Sequence, residues 1–529
     1  MPAGLTDSRL TPSRAAWLAL TGVTLAGLVV RGIPVALADF PVNDGGLFVA
    51  MVRAIQDAGW ALPDTVAWNG LDLPFAYPPL AFYTARVLES AFGLDLFGVF
   101  RWFPLVTAAL IVPAVYLLGR ELLRSEIGGL VAALAYALPP ASYVWLIQGG
   151  GVTRSPGLLL AVLAVWQVVK LVREPTRARA MAVGLLAGLT ALVHPGAGVF
   201  VAVSAALIWL FEGRTRPSAA RAAVALGIAT LVVAPWALTV ISRHGLAAFT
   251  DVPSNGPDPL AAVVAVVAGR YTGLPFTDPL AILGFALAVL GLIQRRFLLP
   301  LWFVAGIALS YQYAMVPFGL LVGVAALDLV ALRASAATTA ATGATRWIPS
   351  VGLGVLAVCL VIEGVASALT VTNPGAPVYA LSPDRRAAMA WVGSELEPTA
   401  RVAVITDSVF TGDPDSEWFP VVAERRSVAT VQGYEWLGKA AFEEQVVVHR
   451  SLQGCVRPAS VSCVHNWLAE WPADYLYLPI GPLHGPNSPA DCCAELRAGL
   501  LADPAFTAIR DGPGATILRV NSPSTAMTE

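Results

Sequence analysis

Asp44 stands in the stretch Asp39-Phe-Pro-Val-Asn-Asp-Gly-Gly-Leu-Phe, a few residues past an apolar run. A carboxylate with a pKa near ~4 is ionised at neutral pH and can take a proton from an approaching hydroxyl. Gly45 and Gly46 let a bound molecule come close to the backbone. The same residues also suit a helix N-terminus at a membrane surface, and the residues alone leave both roles open. Groups able to hold an anion lie elsewhere. Arg154 follows Gln148-Gly-Gly-Gly-Val-Thr, and a glycine run ahead of an arginine makes a cradle of backbone N–H groups and guanidinium. His194, in Leu192-Val-His-Pro-Gly, and Arg270, in Gly269-Arg-Tyr-Thr-Gly, are further candidates, each at the end of an apolar run. Each of the three also reads as an interfacial anchor or as a side chain satisfied by a helix end. Arg31 and Arg101 read as anchors.

The elements that must position these groups are membrane helices. The chain has 529 residues, 57% hydrophobic and 13% charged, with a formal net charge of −2. Such long, charge-poor apolar runs imply a polytopic α-helical membrane protein. The runs are 15–37, 99–119, 126–146, 156–172, 178–193, 197–211, 222–242, 279–293, 297–313, 315–332 and 347–370, about eleven transmembrane helices. The first is too long for the core of a secretory signal and is read as a retained span. Short loops carrying Arg120 and Arg124, Arg173 to Arg179, Arg214 to Arg221, Arg295 and Arg296, and Arg333 and Arg346 alternate with basic-poor ones. The positive-inside rule then makes the N-terminus cytoplasmic and puts loop 38–98 and the C-terminal segment outside the plasma membrane. No basic patch with interleaved aromatics suggests nucleic acid as a partner.

Loop 38–98 is too long for a simple connector. It reads as two helices, one starting near Asp44 and one at Pro78-Pro79, the second lying along the interface. Asp64, Asn69 and Asp72 lie in its polar part, facing an acceptor or simply solvated. Asp251, Asp258 and Asp278 lie in a second external loop. A divalent cation could join Asp44 to one of these acids, but no spacing marks a metal site, and no cofactor is otherwise assigned. The membrane part thus spans 1–372. Residues 373–529 change to soluble composition and read as an external α/β domain. It has strands near 401–406 and 475–480, a hairpin at 507–520, and helices near 383, 441–451 and 490–502. Cys455, Cys463, Cys492 and Cys493 lie in it, which favours two disulfides by compartment, with three connectivities open. Glu417-Trp-Phe-Pro and Gln432-Gly-Tyr-Glu-Trp place aromatics beside carboxylates, as a sugar surface or as packing against the membrane part.

Asn43-Asp44 after the first span, Gly59, Tyr77-Pro78-Pro79 and Tyr83 resemble the pattern of the GT-C glycosyltransferases, in particular the protein O-mannosyltransferase and lipid A aminoarabinose transferase group. Gly150-Gly-Val-Thr-Arg, Leu192-Val-His-Pro and the segment from Glu417 to Trp436 are similar to stretches of bacterial and archaeal members. The resemblance implies a polyprenyl-phosphate-linked sugar as donor and transfer to a hydroxyl of a lipid, glycan or protein acceptor on the external face. It implies Asp44 as base, with Asn43, Tyr77, Arg154, His194 and Arg270 around the substrate. A phosphate is already a good leaving group, so one base suffices where hydrolysis of an ordinary glycoside uses two carboxylates, and direct displacement inverts the anomeric centre. Two departures stand out. The residues flanking Asp44 are Asn43 and Gly45, where many members carry a second acid, and no Trp-Trp-Asp motif of oligosaccharyltransferases is present. The alternatives are a transporter or flippase of a lipid-linked saccharide, which would more often show internal repeats, and a non-catalytic glycan-binding membrane scaffold.

Overall fold

The computed structural model describes residues 13–251, 279–338, 347–370, 378–483 and 491–521. Each apolar run contains a helix. In chain order the helices are α1 (Arg14–Leu37), α2 (Gly46–Asp57), α3 (Leu80–Phe92), α4 (Leu96–Leu123), α5 (Glu126–Ala137), α6 (Gly151–Arg173), α7 (Arg177–Val193), α8 (Pro195–Glu212) and α9 (Arg216–His244). Pro279–Ile293, Leu298–Leu309, Tyr311–Thr338 and Ile348–Thr370 follow. Among the described residues, seven helices are long and apolar enough to cross a bilayer, fewer than the runs suggested. The others are cut short by local chemistry. Pro139-Pro140 end α5, and Arg295-Arg296 separate two short helices. At ~1.5 Å per residue, the 12-residue α5 spans roughly 18 Å of a hydrocarbon core of about 30 Å.

The helix ends sort into two sides. At one, Ser13 donates to Glu126 from its amide (3.0 Å) and hydroxyl (2.9 Å). Arg173 there pairs with Glu121 at 3.1 Å and Glu212 at 3.9 Å. This side joins the ends of α4, α6 and α8 and carries the basic loops. Loop 38–98, the glycine run 149–151 and the C-terminal residues lie at the other. Arg31 is not an interfacial anchor. It is wholly buried and donates to the carbonyls of Ala137 and Gly27 and to Ser142 Oγ, with Tyr143 under its guanidinium. It thereby satisfies carbonyls left open where α5 stops. Arg101 does the same for α1, donating to the Val35 carbonyl at 3.0 Å.

Loop 38–98 contains the two expected helices, α2 and α3, and between them an antiparallel hairpin, β1 (Thr65–Trp68) and β2 (Leu71–Pro74). The C-terminal residues form a five-stranded mixed sheet of β3 (Arg401–Val404), β4 (Arg426–Ser427), β5 (Tyr475–Pro479), β6 (Phe506–Gly512) and β7 (Ala515–Val520). Its order is β4-β3-β5-β7-β6, parallel in β4-β3-β5 and antiparallel beyond. The disulfides join Cys455 to Cys463 and the adjacent Cys492 to Cys493.

Strand periodicity explains how this sheet is seated. Alternate residues point to opposite faces. Val402, Val404, Tyr475, Tyr477, Ala515 and Ile517 share one core with Phe40, Leu47, Trp68 and Phe82 of loop 38–98. Ala403, Ile405, Leu476, Leu478 and Leu518 build a second core on the outer face. The composition changes at 373, yet the inner core is common to both halves. Polar contacts fix the register. Asn69 donates to the Ser427 carbonyl (2.9 Å) and accepts from its amide (2.7 Å), and Trp68 donates to the Gln432 carbonyl (2.7 Å). Asn69 is therefore a docking residue, buried rather than facing an acceptor. Asn69→Ala leaves two buried backbone groups of Ser427 unpaired and is expected to cost about 1–3 kcal/mol. A lower melting temperature in detergent, by scanning fluorimetry of the intact protein, is the expected result.

Candidate active site

α1 ends at Leu37, and the chain turns through Asn43 (φ 56°) and Gly45 (φ 127°) into α2. Only glycine adopts the second angle without strain. The turn brings Asp44 against the N-terminus of α6. Gly150 N–H donates to Asp44 Oδ1 at 2.8 Å, and Arg154 Nη2 pairs with Asp44 Oδ2. The glycines permit this close approach. A Cβ on Gly149 would collide with the Asp44 carbonyl oxygen, and one on Gly150 would sit 2.6 Å from Arg154 Nη2 and 2.7 Å from Asp44 Oδ2. The Asp44 and Arg154 side chains are 22% and 21% exposed, so the pair is sheltered but reachable. Arg154 also donates to the Trp145 carbonyl at 3.1 Å. Asn43 Nδ2 donates to the buried Gln148 Oε1 at 3.1 Å, tying the same two segments together.

Tyr77 and His194 complete the group. The Tyr77 hydroxyl donates to Thr153 Oγ1 at 3.2 Å, one residue from Arg154, and burial pushes its pKa up to about 12. Its ring packs on Phe48 and edge-on to Trp436. His194 caps α8, its Nδ1 accepting from Ala197 N–H at 3.1 Å with the Tyr313 hydroxyl 3.3 Å away. Nδ1 is thus an acceptor, leaving Nε2 to carry the proton. His194 Cβ packs against Gly157, one turn along α6 from Arg154. Asp44, Asn43, Tyr77, Arg154 and His194 are therefore brought together. Arg270, Asp258 and Asp278 lie outside the described residues. Asp64 pairs with Arg243 and His244 at 3.6 and 3.7 Å, and Asp72 is exposed on β2. Among the described residues no group of three or more His, Cys, Asp or Glu is placed to hold a metal ion.

Below this group opens an apolar cavity of about 980 Å³ between α6, α7, α8 and α9. Ala76, Pro78, Pro195 and Trp436, beside Tyr77 and His194, line one end, and Trp209 and Ser218 line the end toward the basic side. Sequence reading did not find it, because residues on four separate helices, small ones on α7, α8 and α9 among them, line it together.

It also did not place Glu417 here. The helix Pro414–Val422 packs on α2. Its Glu417 Oε1 accepts from Gly45 N–H at 3.3 Å, and Trp418 Nε1–H donates to the Asn43 carbonyl at 2.7 Å. Glu417 is buried, and burial with the nearby Asp44 charge pushes its pKa up to about 8. Glu435 is similarly pushed up to about 7 by burial.

The family described as dolichyl-phosphate-mannose-protein mannosyltransferase matches residues 76–239. Undecaprenyl phosphate-alpha-4-amino-4-deoxy-L-arabinose arabinosyl transferases of Pseudomonas paraeruginosa and Pseudomonas aeruginosa are 33% identical over 217 residues. That match covers 39% of this chain and only 38% of each relative's length. Among solved structures, ArnT of Cupriavidus metallidurans bound to undecaprenyl phosphate superposes with a TM-score of 0.50 at 13% identity, covering 97% of this chain and 99% of that one. Arabinofuranosyltransferase AftD from Mycobacteria gives 0.54 at 16% identity, over 97% and 40%. The oligosaccharyltransferase AglB of Archaeoglobus fulgidus gives 0.51 at 13%, over 88% and 69%. The resemblance read from the motifs is thus met by a family match over residues 76–239 and by a fold shared with these solved structures over most of the chain.

An acid whose folded pKa is raised favours folding fully below its ordinary value, and that contribution is lost as pH rises through the folded one. Glu417 goes from 4.5 to about 8. The melting temperature should therefore decline across that window, and more shallowly in Glu417→Gln. Scanning fluorimetry from pH 4.5 to 9 measures the difference.

Proposed function

We propose that the protein transfers a sugar from a polyprenyl-phosphate carrier to an acceptor hydroxyl, with inversion, at the extracytoplasmic face of the plasma membrane. The observation that carries this reading is the Asp44–Arg154 pair on the side of the apolar cavity lined by Ala76, Pro78 and Pro195. A carboxylate and a guanidinium sit where a lipid's phosphate would lie if its tail filled the space between α6 and α9. The cavity volume is at the upper end of ordinary ligand sites, and its lining is apolar.

In this reading the acceptor hydroxyl gives its proton to Asp44, and its oxygen attacks the anomeric carbon from the face opposite the phosphate. The carbon–oxygen bond to phosphate breaks, and the phosphate keeps the electron pair. Arg154 and the N–H groups that open α6 oppose the charge that grows there. His194 Nε2–H is a further donor on the same side, and the Tyr77 hydroxyl, which donates to Thr153, keeps an oxygen toward the site. Arg270 is retained as a candidate for the phosphate or the sugar. Arrival of the phosphate lets Arg154 divide its donors between the lipid and Asp44, freeing Oδ2 for the incoming proton. A divalent cation beside Asp44 is kept as a candidate, with no ligand assigned to it. The side carrying the basic helix ends would be cytoplasmic, together with the N-terminus. Sugar and acceptor identity stay at the level of class.

The test is transfer of label from radiolabelled undecaprenyl-phosphate sugars to an envelope extract by the purified protein. Loss of a general base typically removes ~10²–10⁴-fold in rate, so Asp44→Asn should fall by at least about 100-fold at equal folded amount. Equal transfer by both proteins would remove Asp44 from the mechanism, and lipid translocation without transfer would favour the flippase reading. Filling the cavity with Ala202→Leu should raise KM for a long-chain donor while sparing one with a short prenyl chain.

A further inference from the structure

Glu417 is acidic, buried, and supplied by the C-terminal domain to the turn that carries Asp44. Its Oε1 accepts from Gly45 N–H at 3.3 Å, while Oε2 is buried with no hydrogen-bond partner. The Glu417 carbonyl oxygen lies so close over Gly46 that a Cβ there would collide with it. Trp418 then donates to the Asn43 carbonyl at 2.7 Å and packs edge-on to Phe40 at 4.7 Å. The residues on both sides of Asp44 are thus held by two consecutive residues from the other domain, and the next amide after Asp44 is held by a carboxyl. Apolar packing alone would not place a carboxyl there, since a buried polar atom without a partner costs free energy.

We propose that Glu417 is a positioning residue for Asp44, fixing through the Gly45 amide the turn that aims the carboxylate at its substrate, so that the C-terminal domain completes the active site. This rests on the transferase reading for its kinetic consequences but not for its structural ones. The charged groups facing Glu417 are Asp44 from the turn, Arg154 from α6 and Glu435 from the turn Tyr434–Leu437. A neutral carboxyl beside Asp44 leaves Arg154 paired with Asp44. An ionised one competes for the same guanidinium and repels the carboxylate. Because the group's pKa is pushed up to about 8, this change falls near pH 8.

Two measurements test this. In the transfer assay, Glu417→Ala should lower kcat about 10- to 100-fold with donor KM nearly unchanged, as expected of a misaimed base. Glu417→Gln, which keeps an oxygen for Gly45 N–H, should retain activity and lose the fall in rate near pH 8. Loss in Glu417→Gln as deep as in Asp44→Asn would make Glu417 a proton-transfer group and overturn the proposal. The second measurement needs no turnover. Hydrogen–deuterium exchange of the intact protein should show faster exchange at 43–47 and 148–152 in Glu417→Ala but not in Glu417→Gln. Unchanged exchange in Glu417→Ala would overturn the proposal whatever the activity, whereas the expected pattern without any transfer would leave it standing and reject the transferase reading.

Discussion

Two opposite charges held together at the end of a membrane helix constrain everything around them. Taking a carboxylate or a guanidinium out of water costs several kcal/mol unless each is paired and its remaining hydrogen-bonding groups are met. Asp44 and Arg154 meet that condition with each other, Gly150 N–H and the Trp145 carbonyl. The contact requires two backbones to touch, which requires glycine at 149 and 150. It also requires the chain before α6 to fold back, which follows from the break after α5 at Pro139-Pro140. That break leaves open carbonyls, and the buried Arg31 closes them from α1. The helix that leads into the Asp44 turn thus also stabilises the loop that carries its partner's cradle.

The other half of the constraint comes from the C-terminal sheet. One face of β3, β5 and β7 belongs to the same core as α2, α3 and the β1–β2 hairpin. The Asp44 turn lies at this seam, clasped by Glu417 and Trp418. A site made at a seam depends on docking, so substitutions in the sheet's inner face should reach the chemistry through Asn43 and Gly45. The opposite face, with both disulfides close by, builds a core of its own and is free of that duty.

Much of this was legible in the residues because it is local. Apolar runs marked the membrane helices, and the glycines ahead of Arg154 marked a place of close backbone approach, which Asp44 takes. The Ser382 cap and the Asp511-Gly-Pro-Gly turn marked a helix start and a hairpin. Apolar composition does not measure helix length once Pro139-Pro140 or Arg295-Arg296 interrupts it, so among the described residues fewer helices are long enough to cross a bilayer than there are apolar runs. Arg31 was misread as an anchor, since nothing nearby in sequence announces the carbonyls of Ala137. Glu417 and Trp418 could be seen as an acid beside aromatics, but their partners lie more than 350 residues away. The cavity is lined from four helices, with small residues on α7, α8 and α9, and has no signature on any one of them.

A structure of the purified protein with undecaprenyl phosphate, determined by electron cryomicroscopy in lipid nanodiscs, tests the central claim most directly. The phosphate is expected within hydrogen-bonding distance of Arg154, near His194 and Tyr77, with the prenyl chain running down the cavity between α6 and α9. A lipid bound on another face of the helices, with the cavity empty and Arg154 still closed on Asp44, would contradict it.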